Sequence, residues 1–108
     1  MKLARTKQCA KCPWKKATDP HEIPNGYCEL KHAGLKETIA RPGSLTHNHA
    51  MACHSSKPGK EAHCIGWLMN QLGPRNNIAL RMRMLGCENI KKVKLDGEQH
   101  RTFEETLP

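Results

Sequence analysis

The stretch QCAKCPW at residues 8–14 places two cysteines two residues apart, followed by a proline and a tryptophan. A tight turn over residues 9–14 would bring both sulfur atoms to one side, as in the cysteine pairs that bind zinc. Thioredoxin-type redox motifs share this spacing, but they follow a strand and open a helix within a βαβ unit. No strand pattern precedes Cys9, so we interpret the pair as half of a metal site.

The composition explains why a metal would be useful. The chain has 108 residues, of which 37% are apolar, and its aromatic residues are two Trp, one Tyr and one Phe. One small domain with so few large side chains gains stability from a structural metal. No apolar run approaches the roughly 20 residues that cross a bilayer, and the start MKLARTKQ lacks a signal-peptide core. We therefore expect a cytoplasmic protein with reduced cysteines and no membrane partner.

Hydrophobic spacing predicts three short helices. The first covers residues 27–40, the second follows Cys64 and stops at Gly73-Pro74, and the third covers residues 77–85. The third segment also alternates like a strand, but its Ala, Leu, Arg and Met residues favour a helix, which Asn76 or Asn77 can cap.

Strand patterns are fewer. Residues 50–54 form a short apolar stretch, and residues 91–103 carry an Asp96-Gly97 turn between two alternating runs, which predicts a hairpin. The expected fold class is therefore α+β: a small zinc-stabilised domain with about three short helices and a C-terminal β-hairpin. We assign residues 1–8 to a flexible basic N-terminus, 9–103 to the domain and 104–108 to a tail.

A second ligand pair must complete the site begun by Cys9 and Cys12, and Cys53 with Cys64 is the best choice. Cys53 ends the apolar stretch, and Cys64 stands at a helix start, where backbone N–H groups favour a thiolate. His54 is the rival of Cys53, because neighbours in extended chain point to opposite faces and only one of them reaches the ion. His54 could instead hydrogen-bond a ligand sulfur. Other residues considered are Cys28 with His32, and His63, as alternative ligands, His47 and His49 as solvated loop residues, and Cys87 as an ordinary buried residue.

Catalysis has little support in this sequence. The tripeptide HNH at residues 47–49 is not a nuclease motif, because the three letters of that motif are spread over a hairpin and a helix. A zinc ion with four cysteine ligands leaves no position open for substrate or water. We therefore expect a non-enzymatic protein with one structural zinc ion.

The formal net charge of +8 indicates a polyanionic partner, either nucleic acid or an acidic protein surface. Single-strand binding also uses stacking aromatic residues, and the basic C-terminal half contains only Trp67 and Phe103. This favours a protein partner, with nucleic acid as the alternative. The expected partner-binding residues are Arg75, Arg81, Arg83, Lys91, Lys92 and Lys94.

CAKCPW, MACH and CIGWL together resemble an uncharacterised family of small proteins found in phages and bacteria, with the pattern C-x-x-C-P-W, C-H and C-x-G-W. The resemblance covers residues 9–68. It implies that Trp14 and Trp67 pack around the site, and that the zinc ligands are Cys9, Cys12, Cys53 and Cys64, with His54 beside them.

A looser resemblance rests on size, basic charge and cysteine use. In these respects the chain is similar to small accessory proteins of lambdoid phages, including anti-RecBCD proteins. It implies a partner in the bacterial host cytoplasm: a nucleic-acid-processing complex such as the RecBCD nuclease. Gly73-Pro74 resembles the sites that cyclophilin-type prolyl isomerases accept, and the alternative is that it only ends the second helix.

Overall fold

Three short α-helices organise the part of the chain that the computed structural model describes, which is residues 2–23, 26–41, 50–54, 56 and 62–108. They are α1 (Glu29–Gly34), α2 (Ile65–Leu72) and α3 (Ile78–Met84). Short 3-10 segments lie at Pro20–Glu22, Leu35–Thr38, Ile90–Lys92 and Glu104–Thr106. Most of the loops predicted at residues 44–50 and 55–62, including His47 and His49, lie outside the described residues.

Helix α2 lies at the centre of the core, as its sequence predicts. Cys64 caps its N-terminus and Gly73 its C-terminus, and Trp67 and Leu68 are almost completely buried. The helix also buries the polar side chain of Gln71, whose Oε1 accepts hydrogen bonds from the backbone N–H of Ala40 and from Asn77 Nδ2. These bonds fix α2 to the chain before it and to the start of α3.

Helix α3 confirms the helical interpretation of residues 77–85. Asn77 caps it, because its Oδ1 accepts a hydrogen bond from the backbone N–H of Leu80. Leu80 and Met84 are buried, four residues apart on one helical face. Met82, which a strand would place on their side, is 64% exposed.

The first predicted helix was too long. The α-helix ends at Gly34 and tightens into the 3-10 segment Leu35–Thr38, where Thr38 Oγ1 donates to the carbonyl of Leu35. The predicted apolar face is also wrong at Leu30, which is 85% exposed. His32 occupies the buried side of α1, and residues two apart on a helix point in nearly opposite directions.

The predicted C-terminal hairpin is absent from the described residues. The two runs around Gly97 pair with the N-terminal segment, because Lys94 bridges Lys7 in parallel and Gln99 bridges Lys15 in antiparallel direction. Gly97 has a φ of 77°, so the turn forms as its sequence suggests, but its arms bond elsewhere. The described strand content is limited to isolated bridges. The structure therefore shows a small domain with three short helices and little strand, and the α+β class with a hairpin is not confirmed.

Both ends of the chain contact the core. Leu3 is 5% exposed, and its backbone N–H and carbonyl bond to the side chain of Asn89. Thr106 is 1% exposed. The expected boundaries at residues 8 and 103 stay predictions. Among the described residues, no helix has the length and apolar character that crossing a membrane requires.

Candidate metal centre

The cysteines of the first motif lie on the tight turn that their spacing predicts. The backbone N–H of Cys12 donates to the carbonyl of Cys9, and that of Lys15 donates to the carbonyl of Cys12. Hydrogen bonds from Gln8 to Lys94 and from Lys16 to Glu98 hold the two ends of the turn on the C-terminal segment. The segment around Gly97, which was predicted to form a hairpin, therefore stabilises the cysteine turn.

A short antiparallel ladder brings the second motif to the same place. The backbone N–H of Cys53 donates to the carbonyl of Ala62 at 2.7 Å, and the N–H of Cys64 donates to that of Met51 at 2.9 Å. Ala52 and His63 form the bridge between these bonds. This bridge holds Cys53 and Cys64 on paired segments, with Cys53 opposite Ala62 and with Cys64, which caps α2, opposite Met51.

Side chains from both motifs converge. One potential metal-binding group consists of Cys9, Cys53 and His54, whose ligand atoms all lie within 4.8 Å of one another. Within it, Cys9 Sγ and His54 Nε2 are 3.1 Å apart. The sulfur atoms of Cys12 and Cys64 are 3.7 Å apart.

Because the sulfur atoms lie close together, the pKa values of their thiols shift in opposite directions. Hydrogen bonds with Cys64 and then Cys9 lower the pKa of the Cys12 thiol to about 2. Hydrogen bonds with Cys12 and Cys53 raise the pKa of Cys9 well above its usual range, and a hydrogen bond with Cys12 and burial raise that of Cys64. Neighbouring thiolates repel one another, so ionising the whole cluster requires a cation among them.

Two polar residues that the sequence interpretation missed contact these sulfur atoms. Arg5 Nη1 donates to Cys53 Sγ at 3.1 Å, and the side chain of Gln8 contributes to the lowered pKa of the Cys12 thiol. The position of Gln8 next to Cys9 is a local signal that could have identified it. Arg5 lies 48 residues from Cys53 in sequence, and no spacing rule connects them.

Gly66 permits the close packing of α2 on the cysteine turn. A Cβ atom on this residue would lie 2.5 Å from Trp14 Cβ and 2.8 Å from Cys12 Sγ. The CIGW motif therefore needs glycine at this position, because any larger residue would overlap these side chains. Trp14 and Trp67 are 1% and 2% exposed, in the same buried cluster as Cys12 and Cys64.

The remaining cysteines and histidines have other contacts. His32 uses both ring nitrogens, one with the hydroxyl of Tyr27 and one with Thr106 Oγ1. Cys28 caps α1, and backbone N–H groups of Lys31 and then Leu30 lower the pKa of its thiol. His63 stacks on Trp67 with ring centroids 6.2 Å apart, and the thiol of Cys87 contacts Asn89.

The expected partner-binding residues fall into two groups. Arg75 and Arg81 hold backbone carbonyls: the guanidinium of Arg75 donates twice to Ala40, and that of Arg81 donates twice to Leu72 at the end of α2. Gly73 and Pro74 follow that end and are exposed. The other residues of the predicted set are exposed on α3 or on the segment after it: Arg83, Lys91, Lys92 and Lys94.

Two open clefts flank the cluster, and His54 lines both. One has a volume of about 260 Å³ and is mainly apolar, with Tyr27, Leu35, Met51 and Cys64 in its wall. The other measures about 500 Å³ and is lined by polar and cationic residues that include Arg5, Lys7, Lys11 and Cys9. The cluster is thus approached from two sides in the described structure.

The fold and this cluster define a small helical domain with a Cys/His group close enough to bind a metal. The family model described as Family of unknown function (DUF6283) matches residues 4–106, and the chain therefore belongs to that family. The expected resemblance to an uncharacterised family is confirmed, and the match extends past residue 68. The searches of curated proteins and of solved structures found no match.

Proposed function

We propose that the protein is a zinc-stabilised binding module without catalytic activity of its own. The observation that carries this proposal is the convergence of the two cysteine motifs, which lie far apart in sequence, on one partly buried cluster. Cysteine thiolates and histidine imidazoles are the usual protein ligands of structural zinc. The ion would connect the N-terminal turn to α2.

The proposed ligands are Cys9, Cys12, Cys53 and Cys64. His54 is then a fifth potential donor. Because its Nε2 lies 3.1 Å from Cys9 Sγ, it is placed to hydrogen-bond that sulfur. The alternative set replaces Cys53 by His54. Arg5 favours the first set, since its guanidinium already donates to Cys53 Sγ and would compensate the negative charge of a four-thiolate site.

Metal analysis tests this proposal. Protein purified without added metal should contain one zinc ion per chain, and removing the ion with a chelator should unfold most of the domain, because a structural site supplies folding free energy. Protein that contains no zinc, or that keeps its circular dichroism spectrum after removal of zinc, would refute it. Retention of zinc by a Cys53→Ser variant and its loss from a His54→Ala variant would favour the alternative ligand set.

The proposed biological role is to bind and modulate a protein complex of a bacterial host, in the cytoplasm, as the resemblance to phage accessory proteins implies. RecBCD is the particular complex in question, and a cyclophilin-type prolyl isomerase would contact Gly73-Pro74. Exposure of both residues is compatible with the second contact. Binding of purified RecBCD, with inhibition of its nuclease activity at equimolar protein, tests the first.

Nucleic acid is the second proposed partner, and the polar cleft beside Cys9 is the observation that favours it. Arg5, Lys7 and Lys11 line this cleft, and phosphate contacts require little more than such cations. Affinity for unrelated DNA and RNA sequences should then fall steeply as salt rises, with a smaller slope for Lys7→Gln. Equal affinity at low and high salt would exclude this function.

A further inference from the structure

Helix α3 presents an apolar surface to solvent that its own core packing does not use. Met82 is 64% exposed and Leu85, which caps the helix, is 87% exposed. They lie three residues apart and are therefore neighbours on one face of the helix, opposite the buried Leu80 and Met84. Large apolar side chains that are exposed together often mark a binding surface.

Two arginines border this surface. At roughly 100° per residue, Arg81 and Arg83 project on either side of Met82. The guanidinium of Arg81 is fixed in place, since it donates to the carbonyl of Leu72 at 2.6 Å and 2.9 Å. We call Arg81, Met82, Arg83 and Leu85 the α3 surface. Arg and Met are enriched where proteins bind one another.

We propose that the α3 surface binds a partner protein whose apolar pocket is bordered by carboxylates. The proposal rests on the proposed binding function and names the surface and the chemistry of its partner. Charge complementarity selects this occupant: a second copy would bring like-charged arginines together on chains that each carry +8. Nucleic acid would contact the arginines but gain nothing from exposed Met82 and Leu85, which are not stacking residues.

The test compares two double variants of the full chain as bait. Met82→Glu with Leu85→Glu reverses the character of the α3 surface, and Leu30→Glu with Ala33→Glu makes a matched change of two charges on exposed α1 residues that are also three positions apart. Each bait is immobilised and exposed to nuclease-treated lysate of the cells that encode the chain. We expect one stoichiometric protein complex with the wild type and the α1 variant, and at least tenfold weaker binding with the α3 variant.

A charge-reversal variant tests whether the arginines at the edge of the α3 surface contribute to binding. Arg83→Glu should weaken the same complex about tenfold and reduce its salt dependence, since the complex would lose a contact with a carboxylate. Equal binding by all variants, a complex lost on nuclease treatment, or sedimentation of the wild type as a dimer that Leu85→Glu dissociates would each overturn the proposal.

Zinc content separates this inference from the proposed function. All variants should contain one zinc ion and keep the wild-type circular dichroism spectrum. If they do and binding is equal, the α3 proposal fails alone. If the wild type contains no zinc, the proposed metal site fails, whatever the binding result.

Discussion

The cysteine cluster and the α3 surface place their apolar side chains in opposite environments. Around the cluster, Cys12, Trp14 and Cys64 are at most 3% exposed and make contacts between distant parts of the chain, whereas Met82 and Leu85 are more than half exposed. The difference indicates a division of labour. Substitutions at the cluster should alter zinc content and stability, and substitutions of the exposed Met82, Arg83 and Leu85 in the α3 surface should alter binding alone.

Loss of a proposed ligand is expected to have the largest effect. Cys64→Ser removes a sulfur that lies 3.7 Å from Cys12 Sγ, and a structural zinc site contributes on the order of 10 kcal/mol of apparent binding free energy. We expect loss of zinc and unfolding of most of the domain, measured by metal analysis and circular dichroism. Cys28→Ser is the control, because serine can replace Cys28 as the cap of α1. A folded Cys64→Ser variant with full zinc content would contradict the proposed ligand set.

The second comparison uses one glycine from each region. Gly66→Ala inserts a methyl group against Trp14 and Cys12 and should lower the free energy of unfolding by about 1–3 kcal/mol, as overpacking does. Gly86→Ala, just after α3, meets nothing within 4 Å and should change it by less than about 0.5 kcal/mol. Denaturant unfolding of zinc-loaded protein measures both. Equal effects would show that the packing around the cluster is not tighter than that at α3.

Substitution of one arginine in each region tests the same difference between the cysteine cluster and the α3 surface. Arg5→Gln removes the donor to Cys53 Sγ and should weaken zinc binding about 10- to 100-fold, the usual effect of removing a group that supports a ligand. Arg81→Gln removes the donor to the carbonyl of Leu72 and should cost about 1 kcal/mol of stability with unchanged zinc affinity. Competition with a chelator measures the affinity. An unchanged affinity in Arg5→Gln would limit this residue to a packing role.

Local signals in the sequence predicted the parts of the structure that local forces determine. The extents of α2 and α3 follow from caps and breakers within a few residues, namely Cys64, Gly73 and Asn77. The turn at Cys9 follows from its own spacing. Cys9 and Cys53 lie close together, as the two motifs suggested. His54 lies in the same group, so the expectation that only one of Cys53 and His54 faces the site was wrong, and the full ligand set stays a prediction.

Tertiary contacts decided the features that the sequence did not predict. The arms of the Asp96-Gly97 turn bond to Thr6, Gln8, Trp14 and Lys16 instead of to each other, and no pattern within those arms distinguishes the two outcomes. Leu30 fits an apolar helix face in sequence, but the polar contacts of His32 place that histidine inward. The support of Cys53 by Arg5 likewise depends on a fold that joins residues 48 positions apart.

The smallest predicted effect is the change in the free energy of unfolding when His32 is protonated. Thr106 Oγ1 donates to the carbonyl of Phe103 and so accepts from His32 Nε2, which leaves His32 Nδ1 to accept from the hydroxyl of Tyr27. This arrangement needs the neutral ring, and burial lowers the pKa of His32 below its usual 6.5. The unfolded chain therefore binds a proton first as pH falls, so the stability contributed by neutral His32 is complete above about pH 6.5 and decreases below it.

The measurement is denaturant unfolding of zinc-loaded protein at pH 7.5, 6.5 and 5.8. A His32→Gln variant should be less stable than wild type at pH 7.5, and the difference should shrink on acidification by at most about 1.4 kcal/mol per pH unit. Release of zinc by acid affects both proteins and cancels in the difference. A His32→Gln difference that stays constant or grows toward pH 5.8 would show that the buried ring is not neutral, because a charged His32 would instead favour the folded state in acid.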